Sequence, residues 1–164
     1  MRFSAIPHVG VGDIRFGMTR KETRAIVNGD VSELSQGETT SLTDRYSKEG
    51  LLVHFDAQNR CEAVDIEPPG QVIFKRENLV QLGMNELQRH LAGENTRKDY
   101  TSFTSFEFGI GFWNSEGVDT DTPPKTVIVF RRNYYDGLDQ QAERLRSEML
   151  SRLDRKQLKP IDCD

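Results

Sequence analysis

Three histidines, two cysteines and a short run of acids hold most of the reactive side chains in this sequence. His8, His54 and His90 are scattered, and none has a Cys or acidic partner at the spacings that zinc ligands keep. Cys61 and His54 fall on either side of a predicted hairpin turn, where a thiol and an imidazole can form a nucleophilic pair. No third orienting group and no oxyanion motif accompanies them. Gly10 and Gly12 do not open a phosphate loop, because no Gly-Lys-Ser/Thr follows. Asp119 and Asp121 have the chemistry to bind a cation, but their pattern is not that of a calcium loop. The expectation is a chain with no catalytic residue, no metal and no cofactor.

The aromatics are more suggestive. Trp113, Tyr134 and Tyr135 fall at predicted strand ends near an acidic stretch, Asn114 to Lys125, which carries Glu116, Asp119 and Asp121. Tyr and Trp beside acids are common anchors of protein interfaces. The alternative is that they complete the core, the usual fate of a single Trp. The expected partner-binding set is Trp113, Tyr134, Tyr135 and Asp136, with Glu116, Asp119 and Asp121 from the acidic stretch. Arg131 and Arg132 form a basic doublet too small for a nucleic-acid footprint.

Composition sets the frame for these residues. The chain has 164 residues, enough for one domain with its own core. Charged residues make up 29% and mean hydropathy is −0.64, values of a water-soluble chain. Nine Phe argue against disorder throughout. No apolar run approaches the roughly 20 residues that span a bilayer. The first eight residues lack the apolar centre of a signal peptide, and two cysteines, Cys61 and Cys163, are too few for a secreted disulfide framework. A cytoplasmic, bacterial protein is expected. The net charge of −4 argues against nucleic acid and suits a basic partner.

Hydrophobic periodicity supplies the elements. Val9 to Ile14 reads as a short strand or turn. A helix opens at Thr19, with Met18, Thr23, Ile26 and Val27 on one side, and stops at Asn28-Gly29-Asp30. Residues 31 to 43 read as a mobile loop or ragged strand. Strands are predicted over 44–48, 51–55 and 61–66, with a turn at Asp56 to Arg60. The last of these needs a bulge or two-sided packing, because Cys61, Ala63 or Val64, and Ile66 cannot otherwise all lie inward. Pro68-Pro69-Gly70 divides the chain. Val72 to Phe74 forms a short strand, and a second helix runs from about Asn85 to Leu91. Phe106, Phe108, Ile110 and Phe112 alternate on one face of a hairpin-like stretch from Tyr100 to Phe112. Thr126 to Phe130 is continuously apolar, as a central strand is. Leu138, Ala142, Leu145, Met149 and Leu153 mark a C-terminal amphipathic helix over about 138–158.

Two stretches repeat one another. Phe16-Gly17-Met18-Thr19 is followed three residues after Thr19 by Glu22, and Leu82-Gly83-Met84-Asn85 is followed three residues after Asn85 by Gln88. Each reads as a capping box, in which cap side chain and acid or amide satisfy orphan backbone N–H groups. Gly50 with Leu51 to Phe55 matches Gly109 with Ile110 to Trp113, and Cys61 to Ile66 matches Thr126 to Phe130. The fold class expected is α+β within one domain. Two related halves, about 9–67 and 72–136, form a mainly antiparallel sheet covered by helices, followed by the C-terminal helix.

This tandem arrangement, opened by an apolar-Gly-Met-Thr box, resembles the beta-lactamase inhibitory protein family. It also resembles small bacterial immunity proteins encoded beside toxins. The resemblance covers about residues 9 to 136 and implies inhibition by steric occlusion. The chain lacks the disulfides and signal peptide of the inhibitory family, which favours an intracellular inhibitor. The box is structural and transfers no functional residue. The resulting expectation is a non-enzymatic immunity protein, a monomer or weak dimer. It would bind a cognate protein toxin, for example a basic nuclease, with no nucleic acid and no membrane involved. The rivals are a small enzyme using Cys61, His54 or the acids, and a homo-oligomeric assembly protein.

Overall fold

A computed structural model of the chain describes residues 1–35 and 42–136. In chain order the elements are β1 (Arg2–Ile6), β2 (Gly10–Val11), β3 (Ile14–Arg15), α1 (Arg20–Val27), β4 (Ser32–Ser35), β5 (Leu42–Tyr46), β6 (Leu51–Phe55), β7 (Cys61–Ile66), β8 (Gln71–Phe74), β9 (Glu77–Asn78), α2 (Met84–His90), β10 (Thr96–Lys98), β11 (Ser102–Ser105), β12 (Ile110–Trp113) and β13 (Thr126–Phe130). The fold is α+β with strand predominant. The chain divides into two compact units, Met1–Arg132 and Asn133–Asp164. The expected helix over 138–158 lies outside the described residues, as does Cys163.

The main sheet has eight strands in the order β10-β11-β12-β13-β7-β6-β5-β4, antiparallel throughout. It consists of two four-stranded meanders, each preceded in the chain by a helix, joined where β7 pairs with β13. The continuously apolar Thr126 to Phe130 is therefore interior, as its sequence predicts. In both halves a glycine opens the third strand of the meander with positive φ, Gly50 at 68° and Gly109 at 61°. Each passes its carbonyl to the chain at the end of the fourth strand: Glu67 N–H donates to Gly50 O at 2.9 Å and Phe130 N–H to Gly109 O at 2.8 Å. A Cβ would lie 2.1 Å from Glu67 O at Gly50 and 2.6 Å from Phe130 O at Gly109, so only glycine fits.

The register between β6 and β7 shifts at His54/Phe55. Val53 faces Val64 and His54 faces Ala63, but Phe55 faces Cys61, so Glu62 is the bulged residue. The bulge lets Cys61 join Val64 and Ile66 on the face that also carries Leu51, Val53, Phe55, Val127, Val129, Ile110 and Phe112. All of these are buried in one core with Met84 and Leu87 of α2. The opposite face carries Leu52, His54, Asp65, Ile128 and Trp113, which are half-buried or exposed. One packed and one wetter face is the ordinary state of an antiparallel sheet.

Several expectations need correction. A second, five-stranded sheet, β3-β2-β1-β8-β9, stands beside the first, with β1 parallel to β8. Its strands are short and interrupted by Pro7, Gly10 and Gly12, which read as turn. The first capping box forms: Glu22 N–H donates to Thr19 Oγ1, and Thr19 N–H donates to Glu22 Oε2 at 2.8 Å. The second does not. The N-cap of α2 is Gly83, with no side-chain cap bond, and Asn85 sits inside the helix. The orphan N–H groups of Met84 and Asn85 instead donate to Thr122 O and Thr120 O, both at 3.0 Å. A tertiary contact thus replaces the local cap. Helix α1 stops through Asn28, which takes the left-handed conformation at φ 49°, rather than through Gly29. Ile26 is 39% exposed, so Thr23 fills the core position expected of it. Phe106 and Phe108 lie in the turn between β11 and β12 and do not continue the alternation of Ile110 and Phe112. Of the stretch 31–43, read as a mobile loop or ragged strand, residues 32–35 form β4 and 42–43 begin β5, in line with the strand alternative; residues 36–41 lie outside the described ones.

Candidate functional site

Trp113 ends β12 opposite Ser102 on β11 and Thr126 on β13. Strand alternation turns Ile110 and Phe112 into the core and sends Trp113 to the other face. It is 44% exposed. An indole left in water on a rigid strand end is costly for a monomer and useful in an interface.

The segment after Trp113 is irregular but firmly tied. Asn114 is fully buried, and its side-chain amide donates to Thr122 Oγ1 at 2.8 Å and to Pro123 O at 3.0 Å. Its Oδ1 accepts from Glu116 N–H at 3.0 Å. Gln88 of α2 reaches in to donate to Val118 O at 2.7 Å. Lys125 N–H returns to Trp113 O at 2.9 Å and closes the loop.

Beside this loop stands an aromatic that the sequence reading missed. Tyr100 is 78% exposed. Its carbonyl accepts from Val118 N–H at 3.0 Å, and its ring lies over Gly117. Asp99 pins its turn by accepting from Ser102 Oγ at 2.6 Å, Thr101 N–H at 2.9 Å and Ser102 N–H at 2.7 Å. These bonds, led by the Ser102 hydroxyl, hold the Asp99 carboxyl below the usual carboxylate range. The Asp-Tyr-Thr-Ser run carried the signal, since an Asp accepting bonds from the next residues makes a tight turn and leaves its second residue outward.

The acids of the loop are less available than expected. Asp119 pairs with Lys98, Glu116 lies 3.6 Å from Lys125, and Asp121 accepts from Asn85 Nδ2 at 3.0 Å. Two lysines thus offset much of the loop's negative charge. The structure brings Trp113, Glu116, Asp119 and Asp121 into one loop system of the first unit. Tyr134, Tyr135 and Asp136 belong to the second unit. There Tyr134 and Tyr135 meet edge to face, with centroids 5.1 Å apart, and Asp136 is exposed.

The thiol–imidazole pair of the rival enzyme reading does not form. The bulge places Cys61 opposite Phe55 in the core and His54 opposite Ala63 on the other face. Burial pushes the Cys61 thiol up to about 12, so it stays protonated. His54 is held between its neighbours, with Nδ1 3.1 Å from Thr43 Oγ1 and Nε2 3.0 Å from Asp65 Oδ2. His8 Nε2 lies 3.0 Å from Glu107 O, and His90 packs edge-on to Phe74. Among the described residues, no three of His, Cys, Asp and Glu converge to hold a metal ion. None of their helices is long and apolar enough to cross a membrane.

One charged cluster is buried. Asp44 on β5 lies beneath α1 with its carboxylate fully covered, and Arg20 and Arg24 of α1 both donate to it. Arg24 also donates to Glu33 of β4 at 2.7 Å. This cluster ties α1 to the first meander. Comparison of the chain with protein-family models, with curated proteins and with solved structures finds no match.

Proposed function

We propose that this chain is a non-enzymatic, cytoplasmic immunity protein that neutralises a cognate bacterial toxin by covering its surface. The observation that carries the reading is the half-exposed Trp113, fixed on a strand end beside the exposed Tyr100 and the braced 114–125 loop. Steric occlusion needs rigid aromatic anchors and a polar rim, and no catalytic group. Glu116, Asp119 and Asp121 supply that rim, with Lys98 and Lys125 between them. Tyr134, Tyr135 and Asp136 of the second unit are partner contacts of their own in this reading. In this reading both helices cover the packed face of the main sheet.

The test joins binding to protection. The tagged chain captures partners from its source bacterium, and each stoichiometric partner is expressed in a neutral host with and without the chain. Growth restored by the wild type and lost with Trp113→Ala or Tyr100→Ala is the expected result. A partner whose toxicity the chain leaves unchanged, or protection that survives both substitutions, would overturn the proposal.

A further inference from the structure

A polar cleft of about 450 Å³ opens at the C-terminal end of α1, lined by Arg24, Asn28, Gly29, Asp30, Lys48 and Glu49. It shares no residue with the Trp113 site. Its cations are already engaged: Arg24 by Asp44 and Glu33, and Lys48 by Asp30. Glu49 is the carboxylate left over. Its Oε2 is buried and accepts no hydrogen bond among the described residues. A buried charged acceptor without a partner costs more than an ordinary missing bond.

Two further features point the same way. The last carbonyls of α1 add the negative end of a helix dipole. At Gly29 a Cβ would stand 2.8 Å from Glu49 Oε1, so the carboxylate rests against bare glycine backbone.

We propose that this cleft binds an organic monocation, a primary ammonium or a guanidinium, with Glu49 as its counter-charge. Such a group pairs with the Glu49 carboxylate, and the cleft has room for the alkyl stem behind it. A metal ion would require several acid, His or Cys ligands, and among the described residues no such group converges. An anion would face Glu49 and find Arg24 and Lys48 already paired. The cation comes either from a free amine or from a Lys or Arg side chain of another protein.

Backbone amide NMR tests this on the full chain with three probes: n-butylammonium, methylguanidinium, and a short neutral peptide carrying one lysine. Saturable shifts at Gly29, Asp30 and Glu49 are expected. Glu49→Gln should weaken them at least tenfold while leaving the remaining spectrum unchanged. Gly29→Ala, which displaces the carboxylate by crowding, should weaken them too. Tighter binding of the peptide than of n-butylammonium identifies a protein side chain as the source, and equal or weaker binding identifies a free amine. Shifts that do not saturate with any probe, or binding that survives Glu49→Gln, would overturn the proposal. Neither result touches protection by Trp113, so the two proposals fail separately.

Discussion

The guanidinium of Arg24 grips the buried carboxylate of Asp44 with two bonds, Nε to Oδ2 at 2.7 Å and Nη2 to Oδ1 at 2.8 Å. Burial alone would raise the pKa of Asp44, but hydrogen bonds from Arg24 and Arg20 outweigh it and hold the carboxyl below its ordinary 3.8. Removing one partner of a buried pair leaves the others desolvated and uncompensated. Asp44→Ala should therefore cost about 3 kcal/mol in chemical denaturation, the low end for breaking a buried pair. The sign of the pH effect follows from the depressed pKa. The stabilisation is fully present above the unfolded-state value near 4 and is lost as pH falls through the lower folded value. Wild type should lose stability more steeply than Asp44→Asn on acidification below about pH 4. Parallel acid profiles for the two would contradict this account.

The two helix starts make a matched pair of experiments. Thr19→Ala removes a formed capping box and should destabilise by about 1 kcal/mol. Asn85→Ala removes no cap and should cost less than about half of that. Gln88→Ala deletes the bond to Val118 O instead, so its effect should appear as faster amide exchange in the 114–125 loop. Equal losses for Thr19→Ala and Asn85→Ala would show that the second box also forms.

Cys61 should be chemically silent. With the thiol buried and pushed up to about 12, a Cys163→Ser variant should not react with a thiol reagent at pH 8 until it is unfolded. Labelling of the native variant at the rate of a free thiol would contradict the core position of Cys61.

The chain has a single Trp, so its fluorescence reports the candidate interface directly. At 44% exposure, Trp113 should be quenched by acrylamide in the free protein. A partner that covers it should protect it. Trp113→Ala should leave stability within about 1 kcal/mol and weaken that partner by about 2 kcal/mol or more. Unchanged quenching in a saturated complex would place the interface elsewhere.

What the sequence revealed and what it concealed separate along physical lines. Leu51 to Phe55 and Thr126 to Phe130 were legible because apolar runs bounded by turn residues have few alternatives. The choice of a bulge and its place at Glu62 came only with the pairing to Phe55, but the need for a bulge or two-sided packing in Cys61 to Ile66 was legible from its alternation. The failed cap at Asn85 was not, since the loop carbonyls of Thr120 and Thr122 that replace it come from more than thirty residues away. The same limit hid the pairing of β1 with β8, and the lysines that offset the acidic loop. The exposure of Trp113 was left open by the sequence, because a single Trp more often completes the core. Tyr100 needed the Asp99 turn to show that it points outward.

The seam between β7 and β13 has one more meaning. Two separate copies of a single half, meeting through their fourth strands, would pair antiparallel in the same way and form a symmetric dimer. The chain has the plan of such a dimer drawn on one thread, with its most aggregation-prone strand pair locked away at the centre. Only the short first strands, β4 with Glu33 and β10 with Arg97 and Lys98, are left at the rims of the main sheet. Charged, abbreviated rims discourage a third half from docking, so the sheet stops growing at eight strands.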